Sequence, residues 1–222
     1  MLNSELQANM HQHTACTNIA MRQIFKKTDK SFIPELPRFA FDGRIIVIQS
    51  ESEAIRAVEA LRHYPVLGID TETRPAFQKG KSYKVALLQI AGEDLCFLFR
   101  LNEFGFSPCL VELLSDPSIL KVGLSLHDDF LMLRRRNESF VPAGYIELQD
   151  FAKELGIEDM SLQKLYANIF HKRISKNARL SNWEADVLSE SQKVYAATDA
   201  VTCIQLYQEL KNLKENKAYE LV

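Results

Sequence analysis

An α/β fold, a mixed central sheet flanked by helices, is predicted by three observations. Short apolar runs rich in β-branched and aromatic residues recur at 44–48, 66–71, 83–91, 95–99 and 119–124, each too short for a typical helix. Two of them, 83–91 and 95–99, flank Gly92-Glu-Asp94 and read as a hairpin, which brings antiparallel pairing into the sheet. Helical patterns are interleaved with the strands and then follow them, which places helices on both faces.

Taken in order, residues 1–20 are polar and weakly periodic, and predict a disordered tail. His11, His13 and Cys16 are ligand-type residues there, but a flexible terminus does not hold a metal geometry. Residues 21–42 carry Phe25, Phe32, Ile33, Leu36, Phe39 and Phe41, too apolar to leave in water. With prolines breaking any long helix, they are expected as an arm packed on a domain of 43–222. That domain opens with a strand at 44–48, a helix at about 52–62, the strand at 66–71 and the hairpin. A helix starts at Ser107-Pro108, where serine caps and proline takes the first turn, and the strand at 119–124 follows. Helices are expected at about 127–136, 149–155 and 161–169, with a short strand near 145–148. The last helix opens at Ser189, with Gln192 completing a capping box, and carries an apolar stripe of Val194, Ala197, Val201 and Ile204.

Three acidic clusters sit at the edges of these elements. Asp70 and Glu72 end the 66–71 strand at i and i+2, so both carboxylates leave one face. Tyr195 and Asp199 are i and i+4 on the last helix, one turn apart beside the buried stripe. In Leu126-His-Asp-Asp-Phe130 a strand passes into a helix; helical neighbours point about 100° apart, so either Asp128 or Asp129 joins the others. Four such carboxylates suit two divalent cations, and oxygen-only ligands select Mg²⁺ or Mn²⁺ rather than zinc. Paired ions of that kind hydrolyse phosphodiesters. The blander readings are a solvated strand end for Asp70 and Glu72, a surface position for His127, and a packing role for Trp183 rather than base stacking.

Four segments carry a family resemblance: Gly68-Ile-Asp-Thr-Glu-Thr-Arg-Pro75, Val85-Ala-Leu-Leu-Gln-Ile90, Ser181-Asn-Trp-Glu184 and Gln192-Lys-Val-Tyr-Ala-Ala-Thr-Asp-Ala200. Together they resemble the motifs of the DEDDy 3′→5′ exonucleases, in the ribonuclease D and Werner-type branch, over about residues 43–213. The resemblance implies a ribonuclease-H-like fold and an enzyme that releases nucleoside monophosphates from nucleic-acid 3′ ends. It assigns the second motif to Asp129, and gives Asp70, Glu72 and Asp199 the first ion and Asp70 with Asp129 the second. Tyr195 would position the attacking water, and Lys176 and Arg179 would lie near the scissile end of bound nucleic acid. The partner it implies is single-stranded or 3′-terminal DNA or RNA. The alternative from another class is an inactive nuclease fold kept as a nucleic-acid-binding module, which would be free to lose a ligand.

Composition fits this reading. The 222 residues, 46% hydrophobic and 25% charged, can bury one substantial core. No apolar segment approaches the roughly 20 residues of a membrane span, and the first residues lack the basic start and apolar stretch of a secretory signal. Four cysteines without Cys-x-x-Cys spacing point to a reducing, cytoplasmic location. Net charge is −2, so attraction for phosphates should be local and should need metal. The basic clusters are Lys79-Gly-Lys81 with Lys84, Arg134-Arg-Arg136, and Lys172-Arg173 with Lys176 and Arg179. All but Lys176 and Arg179 read as solvated surface.

Overall fold

The computed structural model describes residues 21–222, so the tail expected at 1–20 lies outside the described residues. The chain runs β1 (Arg22–Ile24), a 3₁₀ turn (Ile33–Glu35), β2 (Arg44–Ile48), α1 (Glu51–Leu61), β3 (Val66–Thr73), β4 (Val85–Ala91) and β5 (Leu95–Arg100). It continues with α2 (Leu101–Phe104), α3 (Pro108–Ser115), β6 (Leu120–Gly123), α4 (Leu126–Arg134), β7 (Tyr145–Glu147) and α5 (Leu148–Glu154). The last elements are α6 (Leu162–Phe170), α7 (Glu190–Asn216) and β8 (Tyr219–Leu221). Six strands form one mixed sheet in the order β2-β5-β4-β3-β6-β7. β4 is antiparallel to both neighbours, and the remaining pairs are parallel.

Every residue of β4 and β5 is buried, because helices cover both faces of the sheet. On one face Leu67, Ile69, Leu88 and Ile90 pack with Leu61 of α1, Leu113 of α3 and Phe130 of α4. On the other, Leu87, Ala91 and Leu98 pack with Leu148 of α5, Leu165 of α6 and Val201 and Ile204 of α7. Each fully buried Leu, Ile or Phe contributes about 1.5–3 kcal/mol.

α7 differs from the striped helix expected of its sequence: from Tyr195 to Ile204 every residue is buried, whichever way it faces. The sheet accounts for one side, and α5 and α6 cover others. Phe41 from the segment before β2 closes over it, its N–H donating to Thr198 Oγ1 at 3.0 Å. The capping box is made: Ser189 N donates to Gln192 Oε1 at 3.0 Å, and Gln192 N donates to Ser189 Oγ at 3.3 Å. Gln192 Nε2 also donates to Ser181 Oγ and Asn182 O, fixing the loop that leads into the helix. Against β3, α7 approaches backbone to backbone at Gly68, where an added Cβ would stand 2.0 Å from Ala200 O. No side chain fits between that strand and that helix.

Residues 21–42 lie over α6 and α7. The Asn168 side chain accepts from Phe25 N and donates to Phe25 O, and Phe39 N donates to Arg173 O at 2.8 Å. β1 pairs in parallel with β8, which the sequence does not reveal in two three-residue strands. Ser107 is the N-cap of α3, but its hydroxyl faces Cys109 Sγ at 3.2 Å and makes no cap bond. α1 has a full capping box, Ser50 with Glu53, unread in the sequence.

Candidate active site

β3 and β6 run parallel, and their pairing stops at Gly68 and Val122, so β3 runs on past the carboxyl end of β6 with Asp70 and Glu72, the position where ligands bind in sheets of this kind. A cavity of about 260 Å³ opens there, lined among others by Asp70, Glu72, Asp129, Tyr195 and Asp199. β3 presents Asp70 and Glu72 on its α7 face. A shift in register between Glu72 and Thr73 ends the regular ladder just past them. α7 brings Tyr195 and Asp199 from above. One carboxylate oxygen each of Asp70, Glu72 and Asp199 lies within 4.8 Å of the others, the only such group among the described residues.

Like charges at this range in a buried place hold protons. Burial first, and then the charge of Asp199, pushes Asp70 well above the usual carboxylate range. Burial, followed by the charges of Asp70, Asp199 and Asp129, raises Glu72 to about 10, against a small opposing pull from Arg179. Burial raises Asp199 to about 7, while the Tyr195 hydroxyl and Lys176 oppose the rise. Burial and then the neighbouring carboxylates also push the Tyr195 phenol above its ordinary value near 10.

The pair left open by the sequence separates in space. Asp128 is exposed on α4, whereas Asp129 turns into the cavity, where it accepts the Thr71 hydroxyl proton on Oδ1 at 2.5 Å. Burial and the charge of Asp70 raise its pKa well above the usual range. Its Oδ2 is buried and has no hydrogen-bond partner. Buried clustered carboxylates with an unpaired oxygen are the donor set of a hard divalent cation, so these residues fit one.

Three contributors were missed in the sequence. Thr71 faces away from Asp70 and Glu72 on β3 and holds Asp129 through its hydroxyl. Glu147, buried at the end of β7, accepts from Ser125 N at 2.9 Å and from Gln149 N at 3.1 Å. It thereby fixes Ser125, the left-handed residue (φ 69°) from which α4 starts two turns of chain carrying Asp129. Gln89 stands opposite Asp70 across the β3–β4 ladder, fully buried, with neither amide atom paired. An acid just ahead of a helix was the one available signal for Glu147; its contact with Ser125, 22 residues away, had none.

Of the expected basic residues, Arg179 lines the same cavity, and Lys176 lines an adjoining one with Tyr195 and Asp199. Both are exposed. Trp183 is fully buried, with its ring 6.0 Å from that of Tyr195, so it packs and is unavailable to stack on a base. Arg100 braces the same loop from below, donating to Ala185 O at 2.5 Å. His127 faces outward and meets Asp150 at 3.5 Å, outside the site.

Comparison with known proteins agrees with this geometry. A family model described as 3′-5′ exonuclease matches residues 45–215. The mouse bifunctional 3′-5′ exonuclease/ATP-dependent helicase WRN is 35% identical over 192 residues, covering 80% of this chain and 13% of that protein. A 3′-5′ exonuclease of Arabidopsis thaliana is 31% identical over 196 residues, covering 81% of this chain and 67% of the relative. The chain thus spans a small part of the mouse protein and about two thirds of the plant one. Among solved structures, Escherichia coli RNase D, an exoribonuclease involved in structured RNA processing, matches with a TM-score of 0.69 at 20% identity, covering 79% of this chain and 46% of that one. That likeness speaks for the fold, which is ribonuclease-H-like. Because the family match spans residues 45–215, and with them every strand and helix that brings an acid to the cavity, the chain belongs to the 3′-5′ exonucleases, in their DEDDy branch.

Proposed function

We propose that the protein removes nucleotides one at a time from the 3′ end of DNA or RNA by metal-dependent hydrolysis. The observation that carries this is the convergence of Asp70, Glu72, Asp129 and Asp199 from three separate elements beside Tyr195. Asp70, Glu72 and Asp199 would hold one divalent cation, and Asp70 with Asp129 a second. Mg²⁺ or Mn²⁺ held there would supply Lewis acidity for phosphodiester hydrolysis.

The chain's own groups do the rest. Tyr195 keeps its proton at neutral pH, since every neighbour pushes its pKa upward, so it is a hydrogen-bonding group and not a base. It orients the water toward the terminal phosphorus. The bond from phosphorus to the penultimate 3′ oxygen breaks, that oxygen is protonated, and a nucleoside monophosphate leaves. Lys176 and Arg179, at the rim, would meet phosphates near the scissile end. Trp183, Gln192 and Arg100 keep the approach loop fixed.

The test is incubation of the pure protein with 5′-labelled DNA and RNA, single-stranded and recessed, with Mg²⁺ or Mn²⁺. A ladder shortening from the 3′ end, abolished by chelator, is expected. Digestion undiminished in excess chelator, or binding without any digestion, would overturn the proposal; the second result would favour the inactive binding module.

A further inference from the structure

The connection between β3 and β4 is out of proportion to its task. Adjacent antiparallel strands are usually joined by about 2–5 residues, whereas residues 74–84 intervene here. The segment, Arg-Pro-Ala-Phe-Gln-Lys-Gly-Lys-Ser-Tyr-Lys, holds four cations and no acid in a chain of net charge −2. It begins two residues after Glu72. Phe77 is 84% exposed at its tip, and Leu180, 61% exposed, faces the same hollow from the loop that also carries Arg179. The hollow, about 370 Å³, is lined by Arg74, Phe77, Lys81, Tyr83, Leu180 and Asn182 among others. Asn182 also lines the neighbouring cavity that reaches Tyr195.

An apolar tip ringed by cations has a chemistry. The Arg74 guanidinium lies 5.0 Å and the Lys81 ammonium 5.2 Å from the centroid of the Tyr83 ring, which holds both against the floor. Arg74 is further paired with Glu184 at 3.2 Å, so its charge is partly answered within the protein. Lys79, Lys81 and Lys84 are exposed and have no ion pair among the described residues. An exposed phenylalanine followed by three lysines without an ion pair among the described residues matches a base stacked on a ring and the phosphates next to it.

We infer that residues 74–84, with Leu180, form a second binding site for single-stranded nucleic acid, a stacking platform for bases of the strand whose 3′ end occupies the carboxylate cavity. The inference rests on the nuclease reading for its orientation, since the platform grips the strand that the cavity shortens. Sequence tolerance follows, because every base offers a π-face.

The experiment uses the full chain and an oligothymidylate of about 12 nucleotides, within the ~4–16 that single-strand-binding folds occupy. Trp183 is the only tryptophan and is buried, so F77W adds one exposed reporter ring. Its fluorescence should be quenched as the oligonucleotide is added. F77A should weaken binding of the long strand by about 5- to 100-fold, from ~1–3 kcal/mol per stacked base. The loss should appear in Kd and KM and be smaller for a dinucleotide. K81Q should lower the slope of log K against log salt by about 0.7. Unquenched F77W, or F77A with wild-type affinity for the long strand, would overturn the platform. So would an equal loss on dinucleotide and 12-mer, which would make the loop part of the reacting site. Absence of any ladder from the wild type would sink the nuclease reading instead, while the quenching would still score the platform.

Discussion

Thr71 and Asp129 are joined by a 2.5 Å hydrogen bond that ties the strand carrying two of the acids to the helix carrying a third. Asp70 and Glu72 leave β3 toward α7, and Thr71 between them leaves toward α4. One three-residue stretch therefore addresses both halves of the site. Thr71→Val removes the donor while keeping the shape. A hydrogen bond to a charged group contributes about 1.5–3 kcal/mol, so kcat should fall about 10- to 100-fold. In an Mn²⁺ titration one site should weaken while the other persists, and Thr71→Ser should restore both readouts. Equal Mn²⁺ isotherms for wild type and Thr71→Val would show that the bond does not position Asp129.

Tyr195→Phe keeps the ring against Trp183 and removes only the hydroxyl. Metal affinity and thermal stability should stay close to wild type, and single-turnover kcat should fall by about 10- to 1000-fold, the range for one positioned hydrogen-bonding group. Because the phenol pKa is raised, the wild-type rate should show no ionisation attributable to tyrosine between about pH 6 and pH 9. A Tyr195→Phe enzyme with wild-type kcat would make the residue a packing group.

Metal-free protein should lose stability as pH rises. The folded-state pKa values are raised, Asp199 to about 7 and Glu72 to about 10, so above the unfolded values near 4 the native state holds protons that the unfolded chain has released. Stability then falls with pH across that window. Differential scanning calorimetry in chelator should show Tm declining from about pH 5 to about pH 8. Added Mn²⁺ should raise Tm more at the upper end, where it competes with fewer protons. Asp199→Asn should flatten the slope and leave metal-free Tm equal or higher. A metal-free Tm that climbs over this range would mean the acids are already ionised and compensated.

Gly68→Ala tests the contact between β3 and α7. The added methyl would meet Ala200 O at 2.0 Å, so strand and helix must part. A misplacement of about 1 Å at a reacting centre costs on the order of 100-fold in rate. The variant should therefore lose kcat far beyond its loss of Tm, with weaker Mn²⁺ binding. Wild-type kcat in a folded Gly68→Ala protein would show that the carboxylates tolerate the displacement.

The legible part of the site was the part set by local periodicity. Asp70 with Glu72 follows from the two-residue period of a strand, and Tyr195 with Asp199 from one helical turn; both pairs meet in space. The mixed sheet followed from one hairpin and from strands separated by helices. Asp128 and Asp129 could not be separated by spacing, because the choice rests on where α4 starts. Ser125 in a left-handed conformation sets that start, held by Glu147 from another strand. The same limit hid the Thr71 bond, across 58 positions of sequence, and the pairing of β1 with β8. α7 looked amphipathic because Thr198, Asp199 and Thr202 are polar, yet all three are buried, two of them bonding to backbone oxygens of their own helix.

Because α7 is enclosed along the whole stretch from Tyr195 to Ile204, its amides there have no local route to water. They should exchange with deuterium only when the domain unfolds globally, the slow limit among the described residues, while the exposed amides of 76–82 should exchange far faster. Two of the side chains proposed to act thus sit on the backbone expected to exchange slowest among the described residues, and the loop proposed to handle the incoming strand sits on backbone expected to exchange fast. The groups proposed to react would be kept still by the same burial that keeps the domain folded, and a strand gripped and released by the loop would not loosen them.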